Sequence, residues 1–420
     1  MRKYINKNPF FKPVIVNRAK KKILFTLLVL FVYRLGNAIP LIGLDQEALK
    51  KSLFDPANRN TLTQIINMYS GGGGKTVVSS FSLGIIPFIN AAILVDLLAA
   101  IFPSLEKLQS EEGEMGRQKI MFYKKVLTFL FATAQSIFLL SYLKPYFYVS
   151  DLYSFSIFVI ELVSGSMIVV WLSNLIDNNG IGSGTSLMIF TNIVITLFSK
   201  NLFTSQIFNI SFYVELIFLL FLIGLICILQ LSRTTIKVVS ARQLAFLQNL
   251  EKRDWQEQIE TKFQLKDNGL SIKFNQAGIF PIIIASNLLP FIAYFTENFL
   301  RQGKMSILNT IFYYVCIVVF NFFYTVIFWD PEKISEQLRK ASVSLVNVTP
   351  GRDTVVYLQK IVWSTSIAGG GLLCIILVLY DSIKPLTKGL LLNQINVSSL
   401  IILIGVAFET QRTIRSLVQD

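Results

Sequence analysis

The chain has 420 residues, of which 53% are hydrophobic and 15% charged, with a mean hydropathy of +0.57. A soluble domain carries nearer a quarter charged residues, so these values exclude an ordinary water-soluble globule and point to long apolar runs. The net charge of +14 suits nucleic acid or topogenic loops, and the apolar background favours loops. The absence of histidine removes the commonest general base and metal ligand.

Residues 1–22 hold eight basic side chains and no acidic one, as expected of a tail on the cytosolic side or its equivalent. The apolar run that follows is too long for a signal-peptide core and lacks an Ala-x-Ala site, so it reads as an uncleaved first span. Ten apolar stretches follow one another at 23–42, 81–102, 126–143, 155–173, 183–199, 212–231, 278–296, 306–329, 361–380 and 395–410. An even number places both termini on one side. The termini and the loops 103–125, 174–182, 232–277 and 330–360 carry 28 of the 39 Lys and Arg residues; the alternate loops carry 10. The first set is therefore expected on the cytosolic side or its equivalent.

The run Ser70-Gly71-Gly72-Gly73-Gly74-Lys75-Thr76 looks like a phosphate-binding loop, but Tyr69 stands where that motif requires glycine. Four glycines instead form a pliable link between a short helix-like segment, Leu62–Tyr69, and the second span. Pro87 falls early in that span, where a helix tolerates it, and Ile85 and Ile89 share a face four residues apart. Gly180-Ile181-Gly182-Ser183-Gly184 opens the fifth span, and Ile189 and Ile193 repeat the spacing. Periodicity alone leaves these as pore-facing or lipid-facing isoleucines.

Charges within spans are few: Arg34, Asp96, Glu161, Glu215 and Glu409. Each reads as an edge anchor or a bond between helices, since no convergent mid-depth set emerges. Cys227, Cys316 and Cys374 lie inside apolar runs and read as small hydrophobes. Two long loops remain. Residues 232–277 mix basic and acidic side chains, and 330–360 contains a helix-like stretch from Pro331 to Lys340. They suit either solvated hairpins or a dock for a partner with an acidic surface.

Several short stretches, in this order, resemble the SecY family of protein-translocase channel subunits. They are Tyr33-Arg34-Leu35-Gly36 with Ile39-Pro40, Phe81-Ser-Leu-Gly-Ile-Ile-Pro-Phe-Ile89, Glu111-Glu112-Gly113-Glu114 with Gly116-Arg117, Gly180-Ile-Gly-Ser-Gly184, Asn275-Gln-Ala-Gly-Ile-Phe-Pro281 and Asp330-Pro331-Glu332. The resemblance implies an all-α integral membrane protein of about ten transmembrane helices, in two inverted five-helix halves around an hourglass pore. The first half would be 23–199, with a plug segment at 61–69. An outer loop and sixth span would follow at 200–231, a docking loop at 232–277, the rest of the second half at 278–410 and a tail at 411–420.

The same resemblance implies a pore ring of Ile85, Ile89, Ile189, Ile193, Ile283 and Ile402, and a plug holding Thr61, Ile65, Ile66 and Tyr69. Asn90, Gln135 and Asn287 would be polar residues of a lateral gate, and Arg242 and Arg352 would dock a partner. The family's Arg-Pro-Gly loop tip is Thr349-Pro350-Gly351 here, so the motif's basic residue is missing and Arg352 follows the turn instead. The implied function is a non-enzymatic, cofactor-free channel that passes unfolded polypeptides and releases apolar segments into the bilayer. The alternative is a ten-helix small-solute secondary transporter. Implied partners are a SecE-like small subunit, a SecG-like subunit, a SecA-type motor ATPase or ribosome, and polypeptides bearing signal sequences. The wording of the stretches resembles the cyanobacterial and plastid branch, so a multi-pass thylakoid protein is expected, with a bacterial plasma membrane as the alternative.

Overall fold

The structure, a computed structural model, describes residues 11–54, 78–110, 113–149, 151–199, 210–240, 269–275, 278, 280–282, 284–285, 305–346, 348–383 and 397–419. In chain order the helices are α1 (Phe11–Gly36), α2 (Gln46–Phe54), α3 (Ile86–Ile101), α4 (Pro103–Ser110), α5 (Gly113–Leu143), α6 (Leu152–Asn179), α7 (Gly184–Ser199) and α8 (Ile210–Leu231). Then come β1 (Arg233–Ser240), β2 (Gly269–Lys273), α9 (Met305–Phe328), α10 (Pro331–Lys340), β3 (Val343–Leu345), α11 (Arg352–Ile383) and α12 (Val397–Gln419). Among the described residues six helices are long and apolar enough to cross a membrane (α5, α6, α8, α9, α11 and α12), while α3 and α7 hold shorter apolar helices. Of the seventh apolar stretch, Gly278 is a turn residue at φ +63° and 280–282 and 284–285 are helical.

Where helix bounds depart from the apolar runs, local chemistry explains it. Helix α1 ends at Gly36 rather than near residue 42. A Cβ at Gly36 would lie 2.0 Å from a ring carbon of Phe81, and Pro40 cannot continue the helix, bridging instead to Ser79. Helix α3 begins only at Ile86, because Gly84 adopts φ +54° and Pro87 then occupies the first helical turn. Helix α5 starts thirteen residues before its apolar run, carrying Arg117, Lys119, Lys124 and Lys125 on a stretch that outlasts the lipid. Apolar length reports lipid depth, whereas hydrogen bonding lets a helix run on into water.

The chain divides into two units, Met1–Phe212 with Gly389–Asp420, and Tyr213–Lys388. In the first, α5 packs against α3, α4 and α6, α6 also meets α1 and α7, and α12 lies on α7 and α1. Its apolar core includes Leu41, Leu83, Leu139, Leu140, Phe158 and Leu162.

In the second unit α9 packs on α11, and a three-stranded antiparallel sheet of order β2-β1-β3 sits against α10 and α11. The sheet amends the all-α expectation. Strand β1 pairs Arg233 with Lys273 through Lys237 with Gly269 on one edge, and Val238 with Leu345 through Ser240 with Val343 on the other. Both long loops therefore meet in one sheet. Alternation along Arg-Thr-Thr-Ile-Lys-Val turns Ile236 inward, where it joins Ile272, Leu345, Leu358 and Val362 in a buried cluster. The helix-like stretch at 331–340 is helical as expected, with Asp330 capping the Glu332 amide at 3.0 Å and Pro331 in the first turn.

Candidate functional site

The lead-in to α3 is a short non-helical segment held from three directions. Ser80 donates its hydroxyl to Glu161 Oε1 on α6 at 2.6 Å, and Ser166 on α6 donates to the Gly84 carbonyl at 3.2 Å. A Cβ at Gly165 would lie 2.0 Å from the Ser80 carbonyl oxygen, so only glycine admits this approach. From α1, Tyr33 stacks its ring against Phe81 with centroids 6.4 Å apart. The segment then delivers Ile85 and Ile89, both 4% exposed, onto successive turns of the α3 N-terminus.

Upstream, the Gln46 side chain exchanges two hydrogen bonds with the Val78 backbone, at 3.0 and 3.1 Å. This pair fastens both ends of the excursion that contains the expected plug. Thr61, Ile65, Ile66 and Tyr69 themselves lie outside the described residues.

The lead-in to α7 is built from the same materials. The Gly180 amide bonds the Ile176 carbonyl at 2.7 Å, and the Ile181 amide bonds Thr26 Oγ1 on α1 at 3.1 Å. Gly182 takes φ +76°, and the Gly184 amide donates to Asp177 Oδ1 at 2.7 Å. A Cβ at Gly184 would lie 2.2 Å from the Ser173 carbonyl oxygen. Helix α7 carries Ile189, half-buried, and Ile193, 4% exposed, and packs on α12, which carries the buried Ile402. Ser186 on α7 donates to Glu409 Oε2 on α12 at 3.2 Å, and Asn192 Nδ2 on α7 donates to the Tyr33 hydroxyl at 2.7 Å.

The first unit thus holds five of the six expected ring isoleucines, three of them on a packed helix pair; Ile283 is outside the described residues. Of the expected gate residues, Asn90 is half-buried on α3. Gln135 is buried on the adjoining α5, with its Oε1 lacking a partner among the described residues. Asn287 lies outside the described residues. Three of the charges within spans do bond between elements: Asp96 on α3 pairs with Lys124 on α5 at 2.9 Å, Glu161 accepts from Ser80, and Glu409 accepts from Ser186.

At the loop tip of the second unit, Thr349 takes a structural role. Its hydroxyl bonds the Asp353 carboxylate, and its carbonyl accepts from the Thr354 hydroxyl at 2.9 Å, closing the first turn of α11. Gly351 turns at φ +116°, its carbonyl accepting from Ser335 on α10 at 3.4 Å. Arg352 follows, exposed at the start of α11; Arg242 lies outside the described residues. Gly165 and Ser166 had no signal in the sequence, because their role is to meet a segment about 80 positions away; Glu161 stood out as a charge within a span, and the Ser80 bond is what holds it.

These features define a class: a multi-span helical membrane protein whose second and fifth apolar helices begin after glycine-fitted, hydrogen-bonded breaks. A family profile described as SecY matches residues 79–411. The protein translocase subunit SecY of Pyropia yezoensis is 36% identical over 414 residues, covering 95% of this chain and 96% of its own length. Those of Guillardia theta and Synechococcus elongatus are each 33% identical, covering 97% and 94% of this chain and 97% and 92% of their own lengths. The chain belongs to the SecY family. Among solved structures, one described as a protein conducting channel superposes with a TM-score of 0.63 at 14% identity, covering 95% of this chain and 92% of that one. Sec61 in the canine ribosome-channel complex gives 0.60 at 15% identity, covering 95% and 92%. These two likenesses speak to the fold.

Proposed function

We propose that the chain is a protein-conducting channel, passing unfolded polypeptides across a membrane and releasing apolar segments sideways into it. The observation that carries this is kinship with translocase subunits over nearly the whole of both chains. The chemistry agrees: an isoleucine constriction offers no specific hydrogen bonds, so it can slide past any sequence, and it holds back ions by dewetting while closed. No feature of the described residues favours the small-solute transporter.

In this reading Ile85, Ile89, Ile189, Ile193, Ile283 and Ile402 line the waist, and residues 61–69 plug it from beyond the Gln46–Val78 fastening. Asn90, Gln135 and Asn287 border the lateral gate. Ten helices form two five-helix halves about an hourglass pore. A repeated contact supports the halves: Gly165, on the fourth apolar stretch of the first, and Gly369, on the fourth of the second, each meet a backbone carbonyl just ahead of the second stretch. The sheet-tied loops, with Arg242 and Arg352, dock a SecA-type motor or a ribosome. A SecE-like and a SecG-like subunit complete the complex. The algal and cyanobacterial relatives support a thylakoid membrane, and the basic tail and loops favour both termini on its stromal side.

Replacing Ile402 or Ile193 with Asn should wet the waist, because a buried amide favours water where isoleucine excludes it. Planar-bilayer recordings should then show a resting ion leak that wild type lacks. Ile160→Asn, at a position 66% exposed on α6, should leave the bilayer sealed. A sealed bilayer with both waist variants correctly folded would overturn the ring.

A further inference from the structure

Tyr33 on α1 is fully buried, and several elements converge on its side chain. Its ring stacks on Phe81 at an interplanar angle of 18°. Phe81 has little room to shift. A Cβ at Gly36 of α1 would lie 2.0 Å from one of its ring carbons, and a Cβ at Gly165 of α6 would lie 3.1 Å from another. The Tyr33 hydroxyl reaches on toward the start of α3, where a Cβ at Gly84 would lie 3.8 Å from its oxygen. It also accepts the 2.7 Å bond from Asn192 Nδ2 on α7. The Tyr33 carbonyl is held as well, by the Asn37 amide at 3.1 Å and Asn37 Nδ2 at 3.3 Å, which closes the end of α1.

The partners are placed to matter. Gly84 directly precedes Ile85, and Asn192 stands between Ile189 and Ile193. Helices α3 and α7 do not pack extensively on each other, so their spacing is set through what both touch. Helix α1 meets the α7 side at two levels. Thr26 Oγ1 accepts from the Ile181 amide at 3.1 Å, fixing the lead-in, and Tyr33 fixes the helix itself further along. In apolar surroundings an unpaired amide or hydroxyl is costly, so the Tyr33–Asn192 bond resists sliding of α7 along α1.

We propose that Tyr33 is a positioning residue that sets α7 against the segment before α3, and with it the spacing of Ile85 and Ile89 from Ile189 and Ile193. This rests on the reading of those isoleucines as a pore waist.

The test compares two variants of the full chain. Tyr33→Phe keeps the ring and removes the hydroxyl; Asn192→Leu keeps the side chain's shape and removes its amide. Although Asn192 lies on α7, its loss should quicken hydrogen exchange about three- to tenfold at the Gly84 and Ile89 amides on the α3 side. Each variant should also give a resting ion leak in planar bilayers, smaller than that of Ile402→Asn. The double variant leaves neither polar group unpaired, and should leak no more than either alone. Thr128→Val removes a buried hydroxyl whose 2.6 Å bond stays within α5, and should change neither readout. Unchanged exchange at Gly84 and Ile89 would overturn the proposal even if Ile402→Asn leaks as the waist requires. Sealed bilayers in both variants beside a leaking Ile402→Asn would overturn it too, as would equal effects from Thr128→Val. Quickened exchange with every bilayer sealed, that of Ile402→Asn included, would strike the waist and keep Tyr33 as the tie between the two helices.

Discussion

In the first unit a Cβ on Gly165 of α6 would lie 2.0 Å from the Ser80 carbonyl oxygen; in the second, a Cβ on Gly369 of α11 would lie 2.0 Å from that of Phe274. The contact is the same, but what holds each carbonyl in place differs. Ser80 is pinned by side chains and backbone of the membrane helices and their connections, through Glu161 on α6 and the Ile39 carbonyl, 3.3 Å from its amide. Phe274 directly follows β2, and its amide bonds the Ser232 carbonyl beside β1. The sheet and its apolar cluster hold it. The first crossing is therefore fixed from within the helix bundle, whereas the second is continuous with the loops proposed to dock partners. Among the described residues, a force on those loops has a direct hydrogen-bonded path to the lead-in to the seventh apolar stretch.

The largest expected effect is on the sheet's own support. Ile272→Ala empties a fully buried position and should cost about 3 kcal/mol. Hydrogen exchange should quicken at β1, β2 and Phe274, while the amides of Ser82 and Gly84 keep their protection. Loss of protection in both places would break the comparison.

Next come the glycines. Gly165→Ala and Gly369→Ala each push a methyl group against backbone, which cannot rotate away, and each should cost about 2 kcal/mol on unfolding in detergent micelles. Similar costs would confirm that the two contacts are equivalent; a harmless Gly369→Ala would mean that the sheet yields. The smallest effect belongs to Ser80→Ala. It removes one hydrogen bond to Glu161 and should cost about 1 kcal/mol, with exchange quickened locally at Gly84 and nowhere in the second unit.

Much of the helical layout was legible in the sequence, because the lipid demands about 20 apolar residues per crossing. The fifth stretch, expected at 183–199, is Gly184–Ser199, and the eighth, expected at 306–329, is Met305–Phe328. Asp330-Pro331-Glu332 marks a helix start by capping chemistry alone, and α10 begins there. Hydropathy could not show that α5 and α11 run far into water, since it measures lipid depth rather than hydrogen-bonded length. Nor could it pair β1 with β3, which lie about 100 residues apart and alternate too briefly to stand out from charged loop. Of the site, Ile85 and Ile89 carried a visible spacing. Glu161 stood out as a charge within a span, but Gly165 and Ser166, which also hold them, did not, because a glycine chosen for one backbone contact looks like any other glycine in an apolar run.

The central claim is that a polypeptide passes the isoleucines, and photo-crosslinking in the membrane tests it most directly. A photoreactive side chain placed at Ile193 or Ile402, in the full chain reconstituted with its motor, should capture a secretory polypeptide arrested midway, and should lose the adduct once the polypeptide is released. The same probe at the exposed Ile160 should label lipid in both conditions. Capture of the polypeptide from Ile160 as readily as from Ile402, or from neither waist position while the polypeptide is demonstrably arrested, would contradict the account.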